Sequence, residues 1–260
     1  MKAVAFDLWE TLITNTPDVS RGQKDARVEG LERVMRERGF EQSAARIHEA
    51  HRASWNRLQD RYWSLDVDVP CRRQIEHFLE LLDLDPASFD EATLVALEEV
   101  YAGAVLAALP HVVDGAREAL REIRARGLAV GMISNTGRTP GSVLRDVLSR
   151  LDLAASIDVM VFSNEHGECK PRPSIFERLR QSLGADYGDM VFIGDNLYVD
   201  VHGAQQMGMR AIHFKPRVLG DAIAPPVDHG LTIVPDAVID DLRELPAVLD
   251  RLTAATASPR

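Results

Sequence analysis

Five apolar runs constrain this 260-residue chain more tightly than any other feature. They are KAVAF (2–6), LAVGMIS (128–134), IDVMVF (157–162), DMVFIGD (189–195) and RAIHF (210–214). Each is short, bounded by turn formers and largely apolar throughout, which is the pattern of a strand covered on both faces. From residue 113 onward they alternate with helix-period segments near 114–126, 141–151, 173–183 and 200–207. Such alternation calls for right-handed crossovers between parallel strands. The expected class is therefore α/β, with a doubly wound, mostly parallel sheet.

Between about residues 17 and 106 the strand signal disappears. Charged, helix-period segments follow one another there: ARVEGLERVMRERG, SAARIHEAHRASWNRLQDRYW, CRRQIEHFLELLDL and DEATLVALEEVYAGAVLAAL. The expectation is an all-helical insert, 17–106, within a core built from 1–16 and 107–260. The edges TNTPDVSRG (14–22) and LPHVVDG (109–115) have the composition of paired hinge linkers. With 45% apolar and 27% charged residues, disordered, collagen-like and coiled-coil classes fit poorly. A formal net charge of −10 argues against a broad phosphate-backbone footprint, so no nucleic-acid partner is expected. No run of about 18 apolar residues is present, so no membrane span is expected. Asp7 arrives too early for a signal peptide, and two cysteines, Cys71 and Cys169, make no disulfide framework; both point to a cytoplasmic protein. The tail LTAATASPR lacks periodicity and is expected to fray.

In an open parallel sheet, ligands bind beyond the carboxyl ends of the strands, where strand order reverses. Here the first run delivers Asp7 and Thr11, and the second delivers Ser134 and Asn135. The next leads into SNEHGECKPRP with Lys170, and another into GDNLYVD with Asp195 and Asp200. Taken singly, each has a plain structural explanation: a strand-ending turn for Asp7 or SNTG, an exposed connector for KPRP, a helix cap for Asp200. Their order at successive strand ends makes coincidence a poor account. Together they form a set suited to an anionic ligand.

In these motifs the chain resembles the haloacid dehalogenase superfamily of hydrolases, in the form that carries a helical (C1-type) cap after the first strand. The resemblance covers nearly the whole chain. The first motif of that family, usually hhhhDxDGTL, here reads VAFDLWETL and matches at Asp7, Thr11 and Leu12. The second, a Ser or Thr ending a strand, matches GMISNTG at Ser134. The third matches SNEHGECKPRPSIF across Ser163, Glu165, Gly167, Lys170, Pro171, Pro173, Ile175 and Phe176. The fourth, GDxxxxD, matches GDNLYVD at Gly194, Asp195 and Asp200, and VIDDLRELPAVL is similar to the family's last turn and helix.

The resemblance implies a Rossmann-like core and a metal-dependent phosphatase acting on a small phosphorylated metabolite, as a monomer or homodimer. It casts Asp7 as nucleophile forming an aspartyl-phosphate, and Mg²⁺ as cofactor held by Asp7, Asp195, Asp200 and the backbone carbonyl of Trp9. Lys170 would neutralise charge, Ser134 and amides near Asn135 would bind the phosphoryl oxygens, and Thr11 would support the turn after Asp7. Trp9 departs from the pattern. Most family phosphatases carry a second aspartate there, as acid and base, and tryptophan can be neither. Three alternatives stay open: a phosphatase with a good leaving group or an acid borrowed from Glu10, the cap or the substrate; a metal-independent 2-haloacid dehalogenase, which also carries an aromatic residue at that position; or a weakly active phospho-ligand binder with Trp9 as core or pocket lining. In the insert, Trp55, Leu58 and Tyr62 share a helical face with Trp63, Arg57 and Arg61 nearby, either as cap core with a basic edge or as a substrate-facing patch.

Overall fold

The structure, a computed structural model, describes residues 1–216 and 230–257. Strands are β1 (Ala3–Phe6), β2 (Ile13–Thr14), β3 (His111–Val112), β4 (Ala129–Ser134), β5 (Val159–Phe162), β6 (Met190–Gly194), β7 (Arg210–Phe214) and β8 (Ala237–Ile239). Helices are α1 (Pro17–Glu37), α2 (Ala44–Arg61), α3 (Cys71–Leu81), α4 (Glu91–Gly103), α5 (Ala116–Ala125), α6 (Gly141–Arg150), α7 (Ser163–His166), α8 (Pro173–Leu183), α9 (Gly203–Gln206) and α10 (Leu245–Ala257). All five expected strands form within two residues of their sequence limits. Six strands make one parallel sheet in the order β5-β4-β1-β6-β7-β8.

The side-chain period of two explains why the runs carry few polar residues. Val4 and Phe6 of β1 belong to one apolar cluster with Leu120, Ile123, Leu144 and Val248, whereas Ala3 and Ala5 belong to another with Phe176, Leu179 and Ala204. Helices thus cover both faces, and a polar side chain in mid-strand would be buried on either. The chain leaves β1, places β4 and β5 on one side of it, and returns to place β6, β7 and β8 on the other. The order reverses at β1, so the crevice opens at its carboxyl end.

Helices α1 to α4 pack around an apolar cluster of their own, with Val28, Leu31, Met35, Ile47, Ile75, Phe78, Leu97 and Tyr101 at its centre. The expected linkers are partly corrected. Residues 17–22 already belong to α1: Thr16 caps it by accepting from the Val19 amide, Pro17 occupies its first turn and Asp18 meets its positive end. Of the remaining linker residues, Thr14 pairs with His111, and Val112 pairs with Ile13 just ahead of the linker, as a short antiparallel ribbon. The tail is likewise corrected, since α10 continues through Ala257; residues 258–260 lie outside the described part. Segment VIDDLRELPAVL, expected as turn and helix, also lends Val238 and Ile239 to edge strand β8. Among the described residues, no helix is long and apolar enough to cross a membrane.

Candidate active site

Register sets the site. Phe6 pairs with Met132 on one side and Ile193 on the other, so Asp7 emerges one residue short of the level of Ser134 and Asp195. The Asp7 amide still donates to the Ile193 carbonyl (2.8 Å), which fixes the backbone from which its carboxylate projects. Lys170, from the segment between α7 and α8, reaches between two strand tips. Its Nζ donates to Asp7 Oδ1 at 2.5 Å and to Asp200 Oδ1 at 2.6 Å, and its side chain is 1% exposed. Asp200 lies in a π-helical turn, Leu197–His202, and its other oxygen accepts from the Asn196 amide (3.0 Å). Gly194 permits this turn: a Cβ there would lie 2.4 Å from the Asp200 carboxylate carbon, far inside contact distance.

Asp7, Asp195 and Asp200 each bring one oxygen within 4.8 Å of the others. Burial, with the neighbouring carboxylates, raises Asp195 to about 8. Burial also raises Asp7, to about 6, although Lys170 opposes the shift. For Lys170, burial favours the neutral amine, yet Asp200 and Asp7 outweigh it and hold the ammonium above its ordinary range. The site is therefore a buried cation inside an excess of carboxylate.

The other expected residues have distinct surroundings. The Ser134 hydroxyl is fully buried, and neither it nor the Thr11 hydroxyl has a hydrogen-bond partner among the described residues. A buried hydroxyl without a protein partner costs free energy that a ligand oxygen would recover. The turn after Asp7 is closed by backbone instead, with the Leu12 and Ile13 amides both donating to the Leu8 carbonyl. Asn135 directs its side-chain amide to Lys170, accepting from the Lys170 amide (2.9 Å) and donating to the Lys170 carbonyl (3.1 Å). It holds the lysine's backbone, leaving only its own backbone for a ligand. Trp9 is half-buried against the core cluster that contains Phe6 and Leu12. Glu10 is 4% exposed, accepts from the Thr14 hydroxyl (2.6 Å) and adopts φ 59°, the left-handed conformation for which the usual glycine of the motif is suited.

Several contributors lie outside the four motifs. His213, at the end of β7, donates from Nε2 to the Asp195 carbonyl (2.8 Å), and burial lowers its pKa, favouring the neutral ring. From the insert, the buried carboxylate of Asp68 reaches the loops after β4 and β5, accepting from Thr136 (2.9 Å) and Ser163 (2.5 Å). Of the aromatic patch, Leu58 is fully buried and Tyr62 contacts His77 (3.0 Å), while Arg57 pairs with Glu80 (3.1 Å). Trp55 alone of that set lines a cavity of about 680 Å³, beside Lys24, His48, His51, Arg52 and Arg138.

The family model for haloacid dehalogenase-like hydrolases matches residues 1–208. The chain belongs to that family. Among curated relatives, this hydrolase is 28% identical to ribulose-1,5-bisphosphate 5-phosphatase of Halopiger xanaduensis, over 94% of its own length and 97% of the relative's. It is 24% identical to glyceraldehyde 3-phosphate phosphatase of Pyrococcus furiosus, over 96% and 94% of the two chains. Among solved structures, it superimposes on a 2-haloacid dehalogenase of Pseudomonas syringae pv. Tomato with a TM-score of 0.69 and 26% identity, covering 97% and 99% of the two chains.

Two outcomes follow for this hydrolase. Lys170→Met leaves Asp7 and Asp200 as uncompensated buried charges and should cost about 3 to 5 kcal/mol of stability at pH 7, measured by urea unfolding, with a smaller loss in acid. Because Asp7 and Asp195 hold protons more tightly when folded than unfolded, their contribution to stability is fully present below the ordinary aspartate value of 3.8 and is lost as pH rises through about 6 and about 8. In chelator, unfolding free energy should therefore fall across that window, and Asp195→Asn should flatten the decline. A slope unchanged in the variant would show that Asp195 is not the group responsible.

Proposed function

We propose that this hydrolase is a Mg²⁺-dependent phosphatase of a small phosphorylated metabolite, working through an aspartyl-phosphate on Asp7. One observation carries the proposal: three carboxylates within 4.8 Å, crossed by a single ammonium, would when fully ionised leave two negative charges unbalanced, and without a further cation burial keeps protons on Asp195 instead. That imbalance matches a divalent cation bound by oxygen ligands, with Asp7, Asp195 and the Trp9 carbonyl as ligands and Asp200 in support. Mg²⁺ would screen the repulsion between carboxylate and phosphoryl oxygens. The curated relatives named above, both phosphatases of sugar or triose phosphates, support the same class.

The chain's own residues then divide the work. Asp7 attacks phosphorus in line as the bond to the leaving oxygen breaks, and with tryptophan at position 9 that oxygen departs as an anion and takes its proton from solvent. Lys170 holds Asp7 ionised and oriented, and the Ser134 hydroxyl finds its missing acceptor in a phosphoryl oxygen. Water completes turnover by attacking the acyl phosphate. The insert, 17–106, serves as a cap over the core, 1–16 and 107–260. A second reading, metal-independent 2-haloacid dehalogenase, draws on the aromatic Trp9 and on the dehalogenase superposition. The three-carboxylate cluster weighs against it, because a metal-free displacement at carbon gives that charge no counterpart.

A panel of phosphomonoesters with Mg²⁺ or EDTA, run beside halide release from 2-chloropropionate, separates the two. Metal-dependent phosphate release, lost by at least about 10³-fold in Asp7→Asn, is the expected result; EDTA-resistant halide release would replace it with the dehalogenase. A finer expectation concerns Trp9. Without the usual second aspartate, general acid catalysis worth about 10²- to 10⁴-fold is missing, so rates should depend steeply on leaving-group pKa across a series of aryl and alkyl phosphates. A flat series would place the proton on another group, and Glu10→Gln is then the variant that should restore the slope.

A further inference from the structure

The insert does more than shield the strand tips. The three residues after Asn135 are each held by a different part of it. Thr136 donates its hydroxyl to Asp68 (2.9 Å), the Gly137 carbonyl accepts from Gln74 Nε2 (2.9 Å), and Arg138 donates to the His51 carbonyl (2.7 Å). The segment preceding Lys170 is held in the same way. Residues 66 and 68 bond 169 and 167 along the backbone, through Cys169 N to Asp66 O (2.8 Å) and Asp68 N to Gly167 O (3.0 Å), with Val67 and Glu168 forming an antiparallel bridge.

Asp68 stands at the junction of both sets. It is 4% exposed, and both oxygens are in use. Oδ1 accepts from Trp63 Nε1 (2.9 Å) and the Val69 amide (2.8 Å), which fixes the carboxylate within the insert. Oδ2 accepts from the Ser163 hydroxyl (2.5 Å) and the Thr136 hydroxyl (2.9 Å), which belong to the core. Ser163 in turn accepts from the Thr136 amide (2.8 Å). The protons are accounted for: two hydroxyl hydrogens point at one oxygen and two N–H hydrogens at the other, and only a carboxylate, with two oxygens and no hydrogen of its own, accepts all four, whereas an amide would turn its NH₂ against one pair of donors. Such shared, charge-assisted bonds are short and directional.

We propose that Asp68 is a positioning residue through which docking of the insert sets the geometry of Ser134, Asn135 and Lys170. Thr136 lies two residues from Ser134, and the strap at 167–169 ends one residue before Lys170, whose backbone Asn135 clamps. Lifting the insert removes the acceptor of two buried hydroxyls and both backbone tethers together, so the phosphate-binding loops lose their shape as the site opens. Hydrolysis is thereby confined to the docked state. The kinetic consequence rests on the phosphatase reading; the structural coupling does not.

Hydrogen exchange and kinetics on Asp68→Asn, Ser163→Ala and the double variant test the two parts separately. In Asp68→Asn, amides of 134–138 and 163–170 should exchange at least tenfold faster, while those of α1, α3 and α4 stay within about twofold of wild type. With p-nitrophenyl phosphate and Mg²⁺, kcat should fall at least tenfold, and adding Ser163→Ala should lower it less than twofold further. Unchanged exchange in the two core loops overturns the proposal, whatever the activity. So does a uniform rise in exchange across the chain, or a double variant whose loss is the product of the single ones. Should wild type release no phosphate from any ester, the phosphatase reading fails, and the exchange pattern alone decides the coupling.

Discussion

The ammonium of Lys170, seated between Asp7 and Asp200, is the interaction on which the site depends. Its partners lie 163 and 30 residues away in sequence, and it joins the end of β1, the approach to α8 and the π-helical turn after β6. Burying an ion pair is seldom a source of stability by itself, because desolvation offsets attraction. What it provides here is position. Two carboxylates that would repel each other are held within a few ångströms, and the lysine keeps one of them ionised while hidden from water.

The sheet makes that meeting possible. With β4 and β6 flanking β1 in parallel register, three tips end at nearly one level, and the chain reverses direction of travel across the sheet at β1. Side-chain bonds then refine what the register begins: Asn135 grips the Lys170 backbone, His213 grips the Asp195 carbonyl, and Gly194 leaves room for Asp200. The hydroxyls of Thr11 and Ser134, without a hydrogen-bond partner among the described residues, mark where protein contacts stop.

Much of this was legible in the sequence because strands buried on both faces leave long apolar signatures and the polar residues that follow stand out against them. Asp7, Ser134, Lys170 and Asp195 are visible for that reason. Thr16, Pro17 and Asp18 carried an equally good helix-start signal, but their turn-forming character drew them into a presumed linker. Asn135 was legible in place and illegible in direction, since an amide side chain at a strand tip can face ligand or backbone equally well. Asp68 had no local signal at all. It is one acidic residue among many in a charged insert, and its partners, Thr136 and Ser163, are 68 and 95 residues distant. Glu10 fell between these cases: its identity showed a departure from the motif, and only the backbone angle revealed that it keeps the conformation of the residue it stands in for.

The ties from Asp68, Gln74 and His51 to three consecutive core residues also bear on how such a protein could be rebuilt. An insert joined only by a two-residue ribbon invites exchange, one helical unit for another, as a route to new selectivity. Here the transplanted unit would arrive without its counterparts for Thr136, Gly137 and Arg138, and the recipient core would be left with an ill-formed loop beside its nucleophile. Recombination at the ribbon is therefore the wrong seam. A chimaera that keeps residues 51, 66–69 and 74 of the native insert and varies the exposed face of α2 around Trp55 divides the molecule where its own bonds do.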